Sequence, residues 1–190
     1  MDQLSHIRTV FSIIIGLSVA HLLKGIAKII EDPKRNKPYT VHLLWVLFTF
    51  LLVVDFWWWE FRLINVNSWN FAMYGYIILY VIIYYLVCAL LFPEKLAAGI
   101  SYETYYYSRN GWIFCLMALL FLMDVGDTLI KGSAYYKSLG PEYTVRIVAQ
   151  TLLCLIAAAT KNKKYHLLLV ILFLLYNITW IFRKYYVSTI

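Results

Sequence analysis

Acidic side chains stand inside stretches of sequence that are otherwise apolar. Asp55 interrupts one such stretch and Asp124 interrupts another. Asp127 and Lys131 follow Asp124 at i+3 and i+7, so a helix would carry all three on one face. A charge inside a membrane span costs about 2.5 to 3.5 kcal/mol on insertion scales, and such groups usually face a bundle interior or a water-filled path. These acids therefore predict a polar cavity that attracts or relays protons or a small cation.

Other apolar stretches supply polar groups near the same depth. At a helical rise of about 1.5 Å per residue, Asp55 and Asp124 each lie about 10 Å inside a basic residue near the end of the helix. In this hypothesis Asp55 and Asp124 attract or relay the ion, and Asp127 adjusts their affinity for it. The basic groups of Lys131 and Arg146 keep the acids charged by proximity. The full predicted set is Asp55, Asp124, Asp127, Lys131, Arg146, Gln150 and Asn177. The alternative is that the acids form structural ion pairs, which fix the helix register.

A second polar cluster consists of His21, Lys24 and His42. An intramembrane enzyme or a lipid-binding protein would use His21 together with the acids, in a pocket that contains His21 and opens sideways to lipid. A metal site built from the histidines would need ligands at unequal depths, so we predict no metal site and no cofactor. The sequence has no nucleophile elbow, no phosphate-binding glycine loop and no zinc-binding His-Glu-x-x-His motif. We therefore name no catalytic residue, and an enzyme is the less favoured function.

The composition excludes a water-soluble protein. Of the 190 residues 63% are hydrophobic, 18% are aromatic and only 14% are charged. The apolar residues form runs of about 20, the length that a helix needs to cross a bilayer. We predict an all-α polytopic bundle of six transmembrane helices in a single membrane-embedded domain. The predicted spans are residues 8–30, 40–62, 70–92, 111–131, 141–160 and 165–182, and residues 93–110 form the longest loop, with Tyr105 to Tyr107 along the interface.

The charge pattern indicates contact with lipid rather than with nucleic acid. The net charge of +7 comes from basic residues that lie mostly at span ends and in short loops, where they meet anionic headgroups and set the orientation. Six spans put both ends of the chain on one side, which we call face A; the opposite side is face B. Face B carries ten of the 17 Lys and Arg residues, so the positive-inside rule predicts that it is cytoplasmic.

The size of the bundle predicts a homo-oligomer, because six spans alone enclose little space for a pathway. Ser12, Gly16 and Ala20 follow each other at i+4 in the first span, and small residues so placed let another helix approach closely. This stripe is interpreted either as an oligomer contact or as packing inside one chain. A third function left open is that of a structural subunit in a larger membrane complex.

Four segments together resemble a known type of protein. They are Gly-Leu-Ser-Val-Ala-His-Leu-Leu at 16–23, His-Leu-Leu-Trp at 42–45, Trp-Trp-Trp-Glu-Phe at 57–61 and Asp-Val-Gly-Asp-Thr-Leu-Ile-Lys-Gly at 124–132. The chain resembles small, uncharacterised polytopic proteins of the bacterial inner membrane over most of its length. The resemblance implies a multi-pass protein in that membrane, and it implies no activity.

Overall fold

The computed structural model describes residues 3–34, 36–66, 68–97 and 99–185. This part of the chain is helical and contains no strand. The elements are α1 (Gln3–Glu31), α2 (Thr40–Trp59), a 3-10 helix (Glu60–Asn65), α3 (Phe71–Leu91), α4 (Tyr102–Ile130), α5 (Ser133–Ser138), α6 (Pro141–Ala159) and α7 (Lys163–Tyr185).

Six of the helices in the described part are long and apolar enough to cross a membrane. They are α1, α2 with its 3-10 extension, α3, α4, α6 and α7, and their most apolar windows have a mean hydropathy between 1.4 and 2.2. The sixth span starts at Lys163 because Asn162 accepts hydrogen bonds from the backbone N–H groups of Lys164 and Tyr165. The predicted all-α bundle of six spans is confirmed, and the protein is a multi-pass integral membrane protein.

The fourth span begins nine residues earlier than predicted. Helix α4 starts at Tyr102, where the Ser101 side chain caps it by accepting the Thr104 N–H. The prediction of a loop up to residue 110 is therefore wrong, while the placement of Tyr105 and Tyr107 at the membrane interface stays a prediction. Tyr106 is fully buried, and its hydroxyl lies 2.8 Å from Nδ1 of His166. Polar residues on the outer side of these extra turns lower the hydropathy and conceal the helix.

An aromatic layer fills the middle of the bundle. It consists of Trp45 and Phe48 on α2, Phe114 on α4 and Phe173 on α7, all at most 2% exposed. The Trp45 ring lies 4.7 Å from Phe114 and 5.7 Å from Phe173, centre to centre. Ten residues, or about 15 Å of helix, separate Phe114 from Asp124, so the layer lies on the face-B side of the predicted acids.

The small-residue stripe of α1 is not packed inside the chain. Gly16 and Ala20 are exposed, and a Cβ built on Gly16 would have no described atom within 4 Å. The interpretation as internal packing is therefore wrong at Gly16, while the oligomer contact stays a prediction. By contrast, a Cβ on Gly25 would lie 2.2 Å from ring carbons of Phe92, so α1 needs a glycine there to contact the end of α3.

The substitution Gly25→Ala tests this contact. The added methyl group must displace the Phe92 ring, and overpacking of this kind costs about 1 to 3 kcal/mol. We expect a lower thermal unfolding midpoint in detergent. Gly16→Ala is the matched control on the same helix; it meets no neighbour and gains helix propensity of up to about 1 kcal/mol. Equal midpoints for the two variants would contradict the close approach of α1 to Phe92.

Candidate functional site

Five of the seven residues predicted to line a cavity do line one together. Asp55 comes from α2, Asp124 from α4, Arg146 and Gln150 from α6, and Asn177 from α7. The volume open to a water-sized molecule is about 40 Å³. One water needs about 10 to 15 Å³ on this measure, so the space holds a few waters or one small ion.

The rest of the cavity wall is mostly aromatic. Each helix contributes residues one turn apart, as a single helical face requires. Leu52, Asp55, Phe56 and Trp59 are the contribution of α2, and Tyr80 and Tyr84 are that of α3. Phe121 and Trp180 complete the wall beside the polar groups. A small polar space is thus lined by aromatic rings as well as by polar groups.

Asp124 holds the centre of a hydrogen-bonded group. Its Oδ2 atom accepts from the Arg146 guanidinium at 3.1 Å and from the Tyr143 hydroxyl at 2.9 Å. The side chains of Arg146 and Asp124 are 12% and 19% exposed, so this ion pair is neither dry nor fully hydrated. The guanidinium carbon also lies 4.3 Å from the centre of the Trp180 ring, a distance at which cation–π attraction is effective. The group ties α4, α6 and α7 together.

Polar atoms at the cavity have no protein partner. Gln150 Oε1, Asn177 Nδ2 and Arg146 Nε are buried and make no hydrogen bond to any described residue. The residues Gln150 and Asn177 are only 7% and 3% exposed. A buried polar group without a partner costs about 1 to 3 kcal/mol, and such groups are normally satisfied by ordered water or a ligand. The cavity therefore offers both a donor and an acceptor to an occupant.

Asp127 and Lys131 lie outside this cavity, in a dry cluster with Glu60. The Lys131 ammonium donates to Glu60 Oε1 at 2.7 Å and to Asp127 Oδ2 at 2.5 Å. All three side chains are at most 1% exposed. Two carboxylates lie within hydrogen-bonding distance of the ammonium, and opposite charges so close favour the charged form of the lysine. The ammonium therefore stays charged at the end of α4.

Glu60 is the residue that sequence reasoning missed. It follows three tryptophans, and tryptophans favour the headgroup boundary, so the segment indicates a helix leaving the membrane. The structure instead turns α2 into a 3-10 helix at Glu60 and points the carboxylate toward Lys131. The only signal in the sequence was an acid within a strongly aromatic run.

The second predicted cluster has a structural role. His21 Nε2 donates to the Phe92 carbonyl at 2.8 Å, and His42 Nε2 donates to the Leu91 carbonyl at 2.7 Å. These carbonyls end α3, where a helix lacks internal donors for its last oxygens. The two histidines thus hold α1 and α2 to the end of α3, and Lys24 is exposed. His42 lies in the first turn of α2 and is fully buried.

Comparison of the chain with protein-family models, with curated proteins and with solved structures found no match. The resemblance to bacterial inner-membrane proteins therefore stays a prediction. What the cavity and the dry cluster can bind follows from their own side chains.

The substitution Lys131→Met tests the dry cluster. It leaves two carboxylates in a sealed site without a cation, and breaking a buried pair in this way costs about 3 to 5 kcal/mol. We expect a large fall in the thermal unfolding midpoint or no folded protein. The matched control is Lys163→Met, since Lys163 pairs with Glu103 at the surface with side chains 68% and 36% exposed; its loss costs at most about 1 kcal/mol. Similar stability of both variants would contradict a sealed cluster.

Proposed function

We propose that this membrane protein binds and transports a proton or a small monovalent cation through the cavity between α2, α4, α6 and α7. The proposal depends on one observation: Asp55 and Asp124, which come from separate helices, line the same small cavity. Arg146 brings a guanidinium to the same space, beside the two carboxyl groups. The two carboxyl groups favour a cation as the occupant, and the volume of about 40 Å³ favours an inorganic ion or a proton over an organic cation.

The orphaned polar atoms support an occupied site. The free oxygen of Gln150 can coordinate a cation directly or through water, as side-chain oxygens do for hard cations. The free N–H groups of Asn177 and Arg146 can hold the waters that accompany the ion. An empty cavity would leave these groups unsatisfied, whereas a hydrated ion satisfies them.

The aromatic layer favours a carrier over an open pore. Trp45, Phe48, Phe114 and Phe173 lie on the face-B side of the cavity, where all four side chains are buried and the Trp45 ring contacts those of Phe114 and Phe173. An ion that enters from face A therefore stops at Asp55 and Asp124. Release toward face B requires the helices that carry these rings to move, which is the behaviour of a protein that alternates between two states.

Substitution of Asp124 by asparagine tests the transport role. Asp124→Asn keeps the size of the side chain and its acceptor oxygen for Arg146, but it removes one carboxyl group from the cavity. We expect at least a tenfold loss of proton, sodium or potassium flux into proteoliposomes, with little change in thermal stability.

Glu103→Gln is the control for this measurement. It removes an exposed carboxylate on the same helix α4, far from the cavity, and should leave the flux unchanged. Wild-type flux equal to that of empty liposomes, or full flux through the Asp124→Asn variant, would rule out the proposed transport.

A groove between α6 and α7 favours a second candidate function, the binding of an anionic lipid. It has a volume of about 220 Å³ and is lined mainly by apolar side chains, including Val145, Leu153 and Leu172. Arg146 and Gln150 line both the groove and the cavity. The lipid-binding alternative from the sequence required a pocket around His21, and this groove lies elsewhere. An acyl chain in the groove would bring its anionic headgroup toward the guanidinium of Arg146, which lines the groove.

The substitution Ala149→Phe tests the lipid site, because Ala149 lines the groove and a phenyl group would fill it. We expect wild-type protein to retain phosphatidylglycerol in preference to phosphatidylcholine in native mass spectrometry, and the variant to lose that retention. Val148→Phe places the same ring on the neighbouring exposed position and should retain the lipid. Equal retention by the two variants would exclude the groove as the binding site.

A further inference from the structure

The dry cluster of Glu60, Asp127 and Lys131 contains one acid more than its basic group can balance. Lys131 is the only cation among the described residues that forms an ion pair with either carboxylate. The nearest further acid, Asp124, stands one turn from Asp127 on α4 and adds negative potential. If both acids of the cluster were ionised, a net charge of −1 would be sealed away from water. Unbalanced charge in such a place is among the most costly arrangements in a protein.

Within residues 3–34, 36–66, 68–97 and 99–185, the other titratable groups near the cluster supply no second positive charge to it. Tyr76 on α3 is neutral and donates its hydroxyl to the Met123 carbonyl. Arg62 on the 3-10 helix lies over the ring of Tyr135 from α5, with 4.5 Å between the guanidinium carbon and the ring centre. The compensating charge must therefore reside within the cluster.

The two carboxyl groups also contact each other. Glu60 Oε1 and Asp127 Oδ2 bind the same ammonium at 2.7 and 2.5 Å, which brings the two side chains within hydrogen-bonding reach of each other. Glu60 Oε2 and Asp127 Oδ1 are buried without any donor from the described residues. An ionised carboxylate can only accept hydrogen bonds. A hydrogen bond between two carboxyl groups therefore exists only when one of them carries a proton.

We propose that Glu60 and Asp127 share one bound proton, so that the cluster with Lys131 is neutral and forms a proton-binding site separate from the cavity. The proton supplies the donor for the hydrogen bond between the two acids and neutralises the excess negative charge of the cluster. Trp59 lies between the two sites: it lines the cavity, and its ring centre is 5.9 Å from the Lys131 ammonium. The proposal does not depend on transport, since it concerns the protonation of the resting protein.

Infrared spectroscopy of the purified full-length protein at neutral pH tests the proposal. A protonated carboxyl group has a C=O stretching band that ionised carboxylates lack and that shifts in D₂O. We expect the wild-type spectrum to show this band and Glu60→Gln and Asp127→Asn each to lose it, because one remaining carboxylate facing Lys131 is ionised. Asp124→Asn is the control and should retain the band, since Asp124 belongs to the Arg146 pair.

Each outcome of this experiment decides the proposal. Absence of the band from the wild type, retention in both cluster variants, or loss in only one of them would overturn the shared proton. If a variant fails to fold, we measure the wild type instead. In that experiment the carboxyl groups of either glutamate or aspartate are labelled with ¹³C. The band must then shift with at least one label, and no shift with either overturns the assignment. Absence of ion flux would remove the transport proposal and leave this result unaffected.

Discussion

Neutralisation of charge inside the membrane is the constraint on which this structure depends. Two ion pairs near the cavity join different parts of the fold: Lys131 at the end of α4 meets Glu60 after α2, and Arg146 on α6 meets Asp124 on α4. A carboxylate in lipid is tolerated only where a cation or a proton reaches it. The charges therefore fix where α2 ends and how α4 lies against α6, and apolar contacts, which are not directional, fill the remaining space.

The charged groups lie in two environments that are close together but differ in exposure. The Glu60, Asp127 and Lys131 side chains are sealed, whereas Asp124 and Arg146 keep part of their surface open. The local dielectric differs accordingly, so an unpaired charge is far more costly in the cluster than beside the cavity. This difference suits the cavity for an exchangeable ion and the cluster for a proton that stays in place until the structure moves.

Hydropathy predicted the six spans because lipid contact demands long apolar runs in any fold. It failed at the start of α4, where Ser101 caps the helix and Tyr106 is buried among other aromatic rings, since neither feature raises hydropathy. Counting residues from the helix ends predicted a common depth for Asp55 and Asp124, and the two residues do line one cavity. Such counting cannot predict the contacts of Glu60 and His42, because each residue contacts a segment that is distant in the sequence. Glu60 binds Lys131, and His42 binds the end of α3.

The position of Asp124 one turn from Asp127 connects the two proposed sites. Their carboxyl groups interact electrostatically across this short stretch of α4, and interactions of this kind are strong away from bulk water. A cation that binds beside Asp124 lessens the negative potential that helps to hold the proton between Glu60 and Asp127. By reciprocity, loss of that proton strengthens the attraction of the cavity for a cation. The two sites would then favour exchange of a cation for a proton, and the charge of the membrane interior would stay nearly constant throughout.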